Sequence, residues 1–210
     1  MFTKAILPNT LRALKLVSKI DIIKKSYLAG GTALALHLGH RISEDLDFFT
    51  QQELDEKVLL SELKRLPNFI EEGMAWRTVW GKIDKVKFSI FYYQYPLIKK
   101  TTSFENIQIL DKEDIAAMKI HAIEDRGTKR DFFDLYCLSK EFSLDEMLKF
   151  YDKKYSKLSD NIYYIIRSLS YFTDAEIDAD PKMLTSIPWS EVKNFFQKES
   201  LKLAKEKLGI

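Results

Sequence analysis

The stretch AGGTALALHLGHRISEDLDFF, residues 29–49, turns on two glycines, runs through a short apolar helix and emerges on a strand that carries two carboxylates. Tyr27 to Ala29 form a brief apolar run that stops at Gly30-Gly31, which reads as a strand entering a tight turn. The two glycines open backbone conformations closed to other residues and leave no side chain to block a phosphate. The helix that follows presents free N–H groups and the positive end of its dipole, which favours an anion, and Gly39 is placed to end it. Thr32 either adds a hydroxyl to that cradle or serves as an ordinary N-cap. Arg41, beside His40, is a further candidate neighbour for phosphate oxygens. EDLDFF then reads as a strand, so Asp45 and Asp47 share one face while Leu46 and Phe48 point to the core. Two carboxylates so close repel each other, and a divalent cation relieves the repulsion. Magnesium prefers hard oxygen ligands and commonly takes one or two carboxylates plus substrate phosphates. The plain alternative is a pair of solvated acids at a strand end.

Working outward, Leu11, Leu14, Val17 and Ile20 recur at near-helical spacing, with Asn9 or Thr10 as the cap. LDEKVLLSELKRL has the pattern of a surface helix, ended by Pro67. Residues 68–95 are aromatic and β-branched and predict two or three antiparallel strands, broken near Gly73 and again near residues 81–84, with KVKFSIFYY the clearest. Beyond Asp111 the pattern is helical, in segments 112–126, 130–140, 143–156, 159–172 and 189–208. Strands early and helices late predict an α+β fold with helices on one side of a small sheet. The expected division is an α/β core over 1–105 and a helical region over 106–210.

The segment DKEDIAAMKIHAIEDRGTKRDFFDLYCL, residues 111–138, holds the other charged cluster. Ile115, Ala116, Met118, Ile120, Ala122 and Ile123 form one apolar arc of the helical wheel. Lys119 falls near its middle and Arg126 about 20° away. Cations on a buried face call for an anion opposite, and triphosphate oxygens would suit. The alternatives are a dipole partner before Gly127 for Arg126, and snorkelling or pairing with Asp45 or Asp47 for Lys119. Thr128 and Asp131 have the spacing of a capping box, while Arg130, Asp131 and Asp134 gather charge beside two phenylalanines.

The composition, 46% hydrophobic and 30% charged, is that of a folded chain, and 33 Lys and Arg against 31 Asp and Glu announce no bulk affinity for nucleic acid. One cysteine, Cys137, excludes an internal disulfide and suits a reducing cytosol. No run approaches the ~20 apolar residues that cross a bilayer, so a cytoplasmic protein without membrane contact is expected. Five lysines against three glutamates on the last helix read first as a solvated face, and secondarily as a contact for RNA phosphates.

The combination of GGTALALHLGHRISEDLDFF with AAMKIHAIEDRGTKRDFFDLYCL, in this order and separated by a strand-rich stretch, resembles the AbiEii/AbiGii-type nucleotidyltransferases. That family belongs to the polymerase-β-like superfamily and includes toxins of type IV and MenT-like toxin–antitoxin systems. The match covers residues 25–140. The resemblance implies a small mixed sheet with a helical C-terminal part that completes the site. It further implies two-magnesium transfer of a nucleoside monophosphate from an NTP to an acceptor hydroxyl. By the same carry-over, Gly31 and Thr32 would hold the nucleotide phosphates, Asp45 and Asp47 would bind the metal, and Lys119 would meet the triphosphate, with Arg130 beside Asp131. Gly30, Arg41 and Arg126 are further nucleotide-binding candidates on the reading of the residues themselves. Asp131 would be the downstream catalytic acid. An RNA 3′ end, tRNA above all, is the acceptor favoured, with a protein or small-molecule hydroxyl as alternatives, and a cognate antitoxin is a possible partner. One position departs from the pattern: the later strand that usually supplies a third carboxylate offers Lys87 and Ser89 instead. Asp131 or Asp84 would have to substitute, or the chain acts as a nucleotide-binding interaction module.

Overall fold

The computed structural model describes residues 1–209. The chain falls into two compact units, one of Met1–Pro96 with Lys100–Asp111, the other of Leu97–Lys99 with the chain from Lys112 onward. The fold is α+β.

In the first unit, helix α1 (Pro8–Val17) begins earlier than Asn9 or Thr10 would have it. Pro8 occupies its first turn, where the missing N–H has no partner to lose, and Leu7 is the cap residue. After α2 (Asp21–Lys24) comes the two-residue strand β1 (Tyr27–Leu28), then α3 (Gly30–Leu38), closed by Gly39 at φ 64°. Strand β2 (Leu46–Thr50) buries Leu46, Phe48 and Thr50 and turns Asp47 and Phe49 to the other face. Helix α4 (Glu56–Leu63) is capped by the Asp55 carboxylate and ends four residues before Pro67. Strands β3 (Phe69–Ala75), β4 (Thr78–Ile83) and β5 (Val86–Tyr92) form the antiparallel meander, and β6 (Thr102–Phe104) pairs with β7 (Ile107–Ile109).

The seven strands lie in the order β3-β4-β5-β2-β1-β7-β6, with β2/β5 and β1/β7 parallel and the remaining pairs antiparallel. The meander does not break at its glycines. A side chain on Gly81 would overlap the Ile70 carbonyl of the neighbouring strand, so this glycine marks a close approach inside a ladder. Gly73 sits at a bulge of β3 against the Trp80 ring. The reversals are at Trp76-Arg77 and at Asp84-Lys85, whose φ of 50° and 70° suit a two-residue hairpin. The β6–β7 hairpin, too short for a period to register, is absent from the sequence reading.

The second unit is helical: α5 (Lys112–Asp125), α6 (Lys129–Leu138), α7 (Leu144–Tyr155), α8 (Leu158–Leu169), α9 (Thr173–Glu176) and α10 (Trp189–Leu208). Helix α5 packs on α6, α7 and α8, and α10 packs on α6 and α8. Aromatic rings fill this core, with Phe132 within 6 Å of Phe172, Trp189 and Phe196. Among the described residues, no helix is long and apolar enough to cross a membrane.

An ion pair is sealed into the same core. Lys154 Nζ on α7 lies 2.7 Å from Asp114 Oδ1 on α5, both side chains wholly buried. Asp114 also accepts the backbone N–H groups of Ile98 and Lys99, each at 3.0 Å, which fastens Leu97–Lys99 to the helices rather than to the sheet. Removing one member of a buried pair leaves an uncompensated charge and costs about 3–5 kcal/mol. Lys154→Met is therefore expected to lower stability by about 3 kcal/mol or more in urea melts followed by helical circular dichroism. A change near zero would mean that the two N–H groups alone satisfy Asp114.

Candidate active site

The first unit builds its site on the antiparallel register of β1 and β2, in which Leu28 faces Phe48. That register delivers the end of β1 to Asp47, and Ala29 N–H donates to the Asp47 carbonyl at 2.9 Å. Gly30 then takes φ 63°, and a Cβ there would lie 3.1 Å from Asp47 Oδ2. A side chain at this position would be strained and would crowd the carboxylate as well. Gly31 leaves a space already filled, since a Cβ there would overlap Nη2 of the buried Arg41 and lie 3.2 Å from Ser43 Oγ. The Arg41 guanidinium thus lies against the first turn of α3, and its Nη1 donates to the Ile42 carbonyl at 3.2 Å.

Thr32 is buried and does not cap the helix with its side chain. Its hydroxyl donates to the Asp45 carbonyl and lies 2.9 Å from Ser43 Oγ. The threonine therefore fixes the backbone that carries Asp45. Asp45 immediately precedes β2 and, like Asp47, is half-exposed, whereas Leu46 and Phe48 are fully buried, so the two acids share the open side of the strand.

Strand β5 runs parallel to β2 with Ser89 opposite Asp47, and Ser89 Oγ donates to Asp47 Oδ1 at 2.5 Å. The residue beside the carboxylate pair on this strand is thus a hydroxyl. Asp84 does not stand in for an acid there. It sits in the β4–β5 turn five residues before Ser89, about 16 Å away along a strand. The Asn68 amide at 2.7 Å, and then the Arg12 guanidinium at 2.6 Å, hold its carboxyl below the ordinary carboxylate range. Further along the open face the site is walled by rings, with Phe49 5.2 Å from Phe91 and 5.1 Å from Tyr93.

In the second unit, Lys119 lies buried on α5, and the anions opposite it are protein carboxylates. Its Nζ is 2.8 Å from Asp131 Oδ1 and 2.6 Å from Asp134 Oδ2 on α6. Asp131 also takes the Arg126 guanidinium at 3.2 Å and the Thr128 hydroxyl at 2.6 Å. Thr128 is the residue before α6 but makes no side-chain cap, so the predicted capping box is replaced by this side-chain bond. Gly127, at φ 50°, closes the preceding helix. Arg126 and Arg130 are both exposed, Arg130 at the start of α6. Asp134, which the sequence reading left without a role, is fully buried beside Lys119. A carboxylate one turn after Asp131 on the same apolar face was the signal that could have found it.

Burial pushes the Asp131 carboxyl up, but the charges of Lys119 and Arg126 and the hydrogen bonds from Lys119 and Thr128 outweigh burial and hold it below the ordinary value. A depressed folded pKa contributes stability that is present above the unfolded value of about 3.9 and is lost as pH falls through the folded one. Asp131→Asn should accordingly melt earlier than wild type near neutrality, and the gap should narrow as pH drops below about 4. A gap that stays constant from pH 7 to pH 3 in thermal melts would refute the ion-pair account.

The chain matches the family described as nucleotidyl transferase AbiEii toxin, type IV TA system, over residues 15–204. An uncharacterized protein of Aquifex aeolicus (strain VF5) is 36% identical over 195 residues, 89% of this chain and 92% of that one. Among solved structures, JHP933 from Helicobacter pylori is similar at 23% identity and a TM-score of 0.53, covering 97% of each chain. MenT4, the nucleotidyltransferase toxin Rv2826c from Mycobacterium tuberculosis H37Rv, is similar at 15% identity and a TM-score of 0.59, over 91% of this chain and 84% of that one. With the glycine turn and the paired acids on one unit of a mixed-sheet fold, the chain belongs to the AbiEii nucleotidyl transferase toxin family and is a nucleotidyltransferase.

Proposed function

We propose that the protein transfers a nucleoside monophosphate from an NTP to the 3′ hydroxyl of an RNA, tRNA first, in a magnesium-dependent reaction, as the toxin of a cytoplasmic toxin–antitoxin pair. The observation that carries this reading is the placement of Asp45 and Asp47 on the open face of β2, with the first turn of α3 held against Asp47 by Gly30. The donor set fits magnesium: two half-exposed carboxylates, with Ser89 Oγ orienting one of them. Bound there, the metal would supply Lewis acidity to the phosphoryl oxygens and offset charge on the leaving pyrophosphate.

The protein's own part is positional and electrostatic. The N-terminal turn of α3 offers backbone N–H groups to the phosphates, and the Arg41 guanidinium beside Gly31 adds positive charge to the same turn. Thr32 keeps Asp45 in register through its carbonyl. The roles of Lys119 toward the triphosphate, and of Asp131 as the catalytic acid with Arg130 beside it, rest on the family motif. A second reading, a nucleotide-binding module with little catalysis that works through a protein partner, is favoured by Ser89 standing beside Asp47 where an acid would activate the attacking hydroxyl.

Incubation with magnesium, each labelled NTP and total RNA separates the two. Label should pass from one or more NTPs to RNA 3′ ends with wild type and fall by about 100-fold or more with Asp47→Asn, the size of effect expected when a group stabilising transition-state charge is removed. Equal labelling by both proteins would exclude the carboxylate mechanism, and NTP binding without transfer would establish the binding module. Gly31→Ala, which must displace the Arg41 guanidinium, should weaken NTP binding in titration calorimetry while leaving the fold intact by circular dichroism. Unchanged affinity would remove Arg41 from the phosphate site.

A further inference from the structure

Helix α8 points Ile165, Ile166 and Leu169 into the core and leaves an unusual outer face. Tyr163, Tyr164 and Tyr171 are 52%, 59% and 51% exposed, and Arg167 is exposed among them. Tyr163 and Tyr164 fall within an arc of about 100° centred near Arg167. The two rings meet edge-on with centroids 5.5 Å apart. Two hollows flank this face. One, of about 190 Å³, runs between Tyr163 and Arg167 on α8 and Leu201 and Ala204 on α10; the other, of about 460 Å³, lies between Tyr164, Arg167 and Tyr171. Exposed rings gathered beside open hollows mark a candidate interaction surface.

The charge around the face says what kind of ligand fits. On α10, which packs against α8, Lys198, Lys202 and Lys205 are all exposed and fall within an arc of about 60° beside Leu201. Glu199 and Glu206 fall outside that arc, and Glu191 in the first turn is bound to the Tyr136 hydroxyl. Glu124, the acid at the larger hollow, accepts from the Tyr151 hydroxyl at 3.0 Å. Asp160 on α8 is exposed within the tyrosine arc, and against it stand Arg167 and the row of lysines on α10. Tyrosine rings with this cationic excess are the combination that takes unpaired bases by stacking and phosphates by charge.

We propose that the α8–α10 face binds single-stranded RNA, with Tyr164 and Tyr171 stacking on bases and Arg167, Lys198, Lys202 and Lys205 meeting the phosphates. Extending the preceding proposal, this makes the face the grip on the acceptor strand, apart from the residues proposed to handle the nucleotide. A single strand fits better than a duplex, whose paired bases keep their faces from side-chain rings.

The test is fluorescence anisotropy with a fluorescein-labelled single-stranded RNA of about 12 nucleotides, without NTP or magnesium. Wild type should bind, and Tyr164→Ala with Tyr171→Ala should raise Kd by about tenfold or more. Arg167→Ala should lower the slope of log K against log salt by about 0.7. Asp47→Asn should bind as wild type does, and the tyrosine variant should keep its NTP affinity and melting temperature. No RNA binding by wild type, or equal binding by the folded tyrosine variant, overturns the proposal. So does self-association of wild type in sedimentation that the same substitutions abolish, since the face would then be a protein interface. Loss of transfer to RNA with intact RNA binding would instead overturn only the acceptor reading above.

Discussion

The contact between the Gly30 backbone and the Asp47 carboxylate governs the first unit. Strand β1 is two residues long, and its register with β2 leaves the chain almost no length in which to turn before α3 begins. The turn is made at φ 63° against a carboxylate oxygen, where a Cβ would be strained and would lie 3.1 Å from Asp47 Oδ2. Because Ala29 N–H is bonded to the Asp47 carbonyl, the helix start and the carboxylate cannot move independently. Thr32 adds a second tie to the Asp45 carbonyl within the first turn of the helix. An anion-attracting helix end and a cation-attracting pair of acids are thus held side by side by one main-chain bond and by a short, buried threonine side chain.

The second unit solves a different problem. Its α5 carries Asp114 and Lys119 on a face otherwise apolar, and each finds opposite charge inside the core, from Lys154 in one case and from Asp131 and Asp134 in the other. Buried pairs of this kind add little net stability over apolar residues, but they penalise every packing that separates them. Aromatic rings, which pack in many ways, make up much of the surrounding core. Charges that must meet specific partners restrict those rings to one register of α5 against α6 and α7.

How much of this was legible in the sequence depends on the range of each interaction. Gly39 and Gly127 as helix stops, the open-face parity of Asp45 and Asp47, and the five long helices all follow from neighbours within a few residues. The sequence also indicated that Lys119 needed an anion. It could not say which, because a wheel shows the face a charge lies on and not what the fold brings to that face. The Asp114–Lys154 pair, 40 residues apart, left no local trace. Glycine was a coarse guide for a related reason: the break expected over residues 81–84 falls at its far end, in the Asp84-Lys85 turn, while the space Gly81 leaves is taken by a neighbouring carbonyl. That the Thr32 hydroxyl holds the Asp45 backbone is likewise a long-range fact.

Ser89 bears on how the proposed nucleotide site would work. An acid at this place would set a third negative charge against Asp47, while a hydroxyl donates to it and leaves its charge intact. A pair of carboxylates attracts a divalent cation less strongly than three do, so more of the cation's coordination falls to ligands that arrive with the substrate. Binding of metal and triphosphate would then be mutually dependent, each supplying charge the other lacks, as linkage between two sites requires. A serine at this place also offers no carboxylate base beside the proposed metal ligands. A rate limited by deprotonation of the attacking hydroxyl would rise with pH, through the hydroxyl itself rather than through a protein carboxylate.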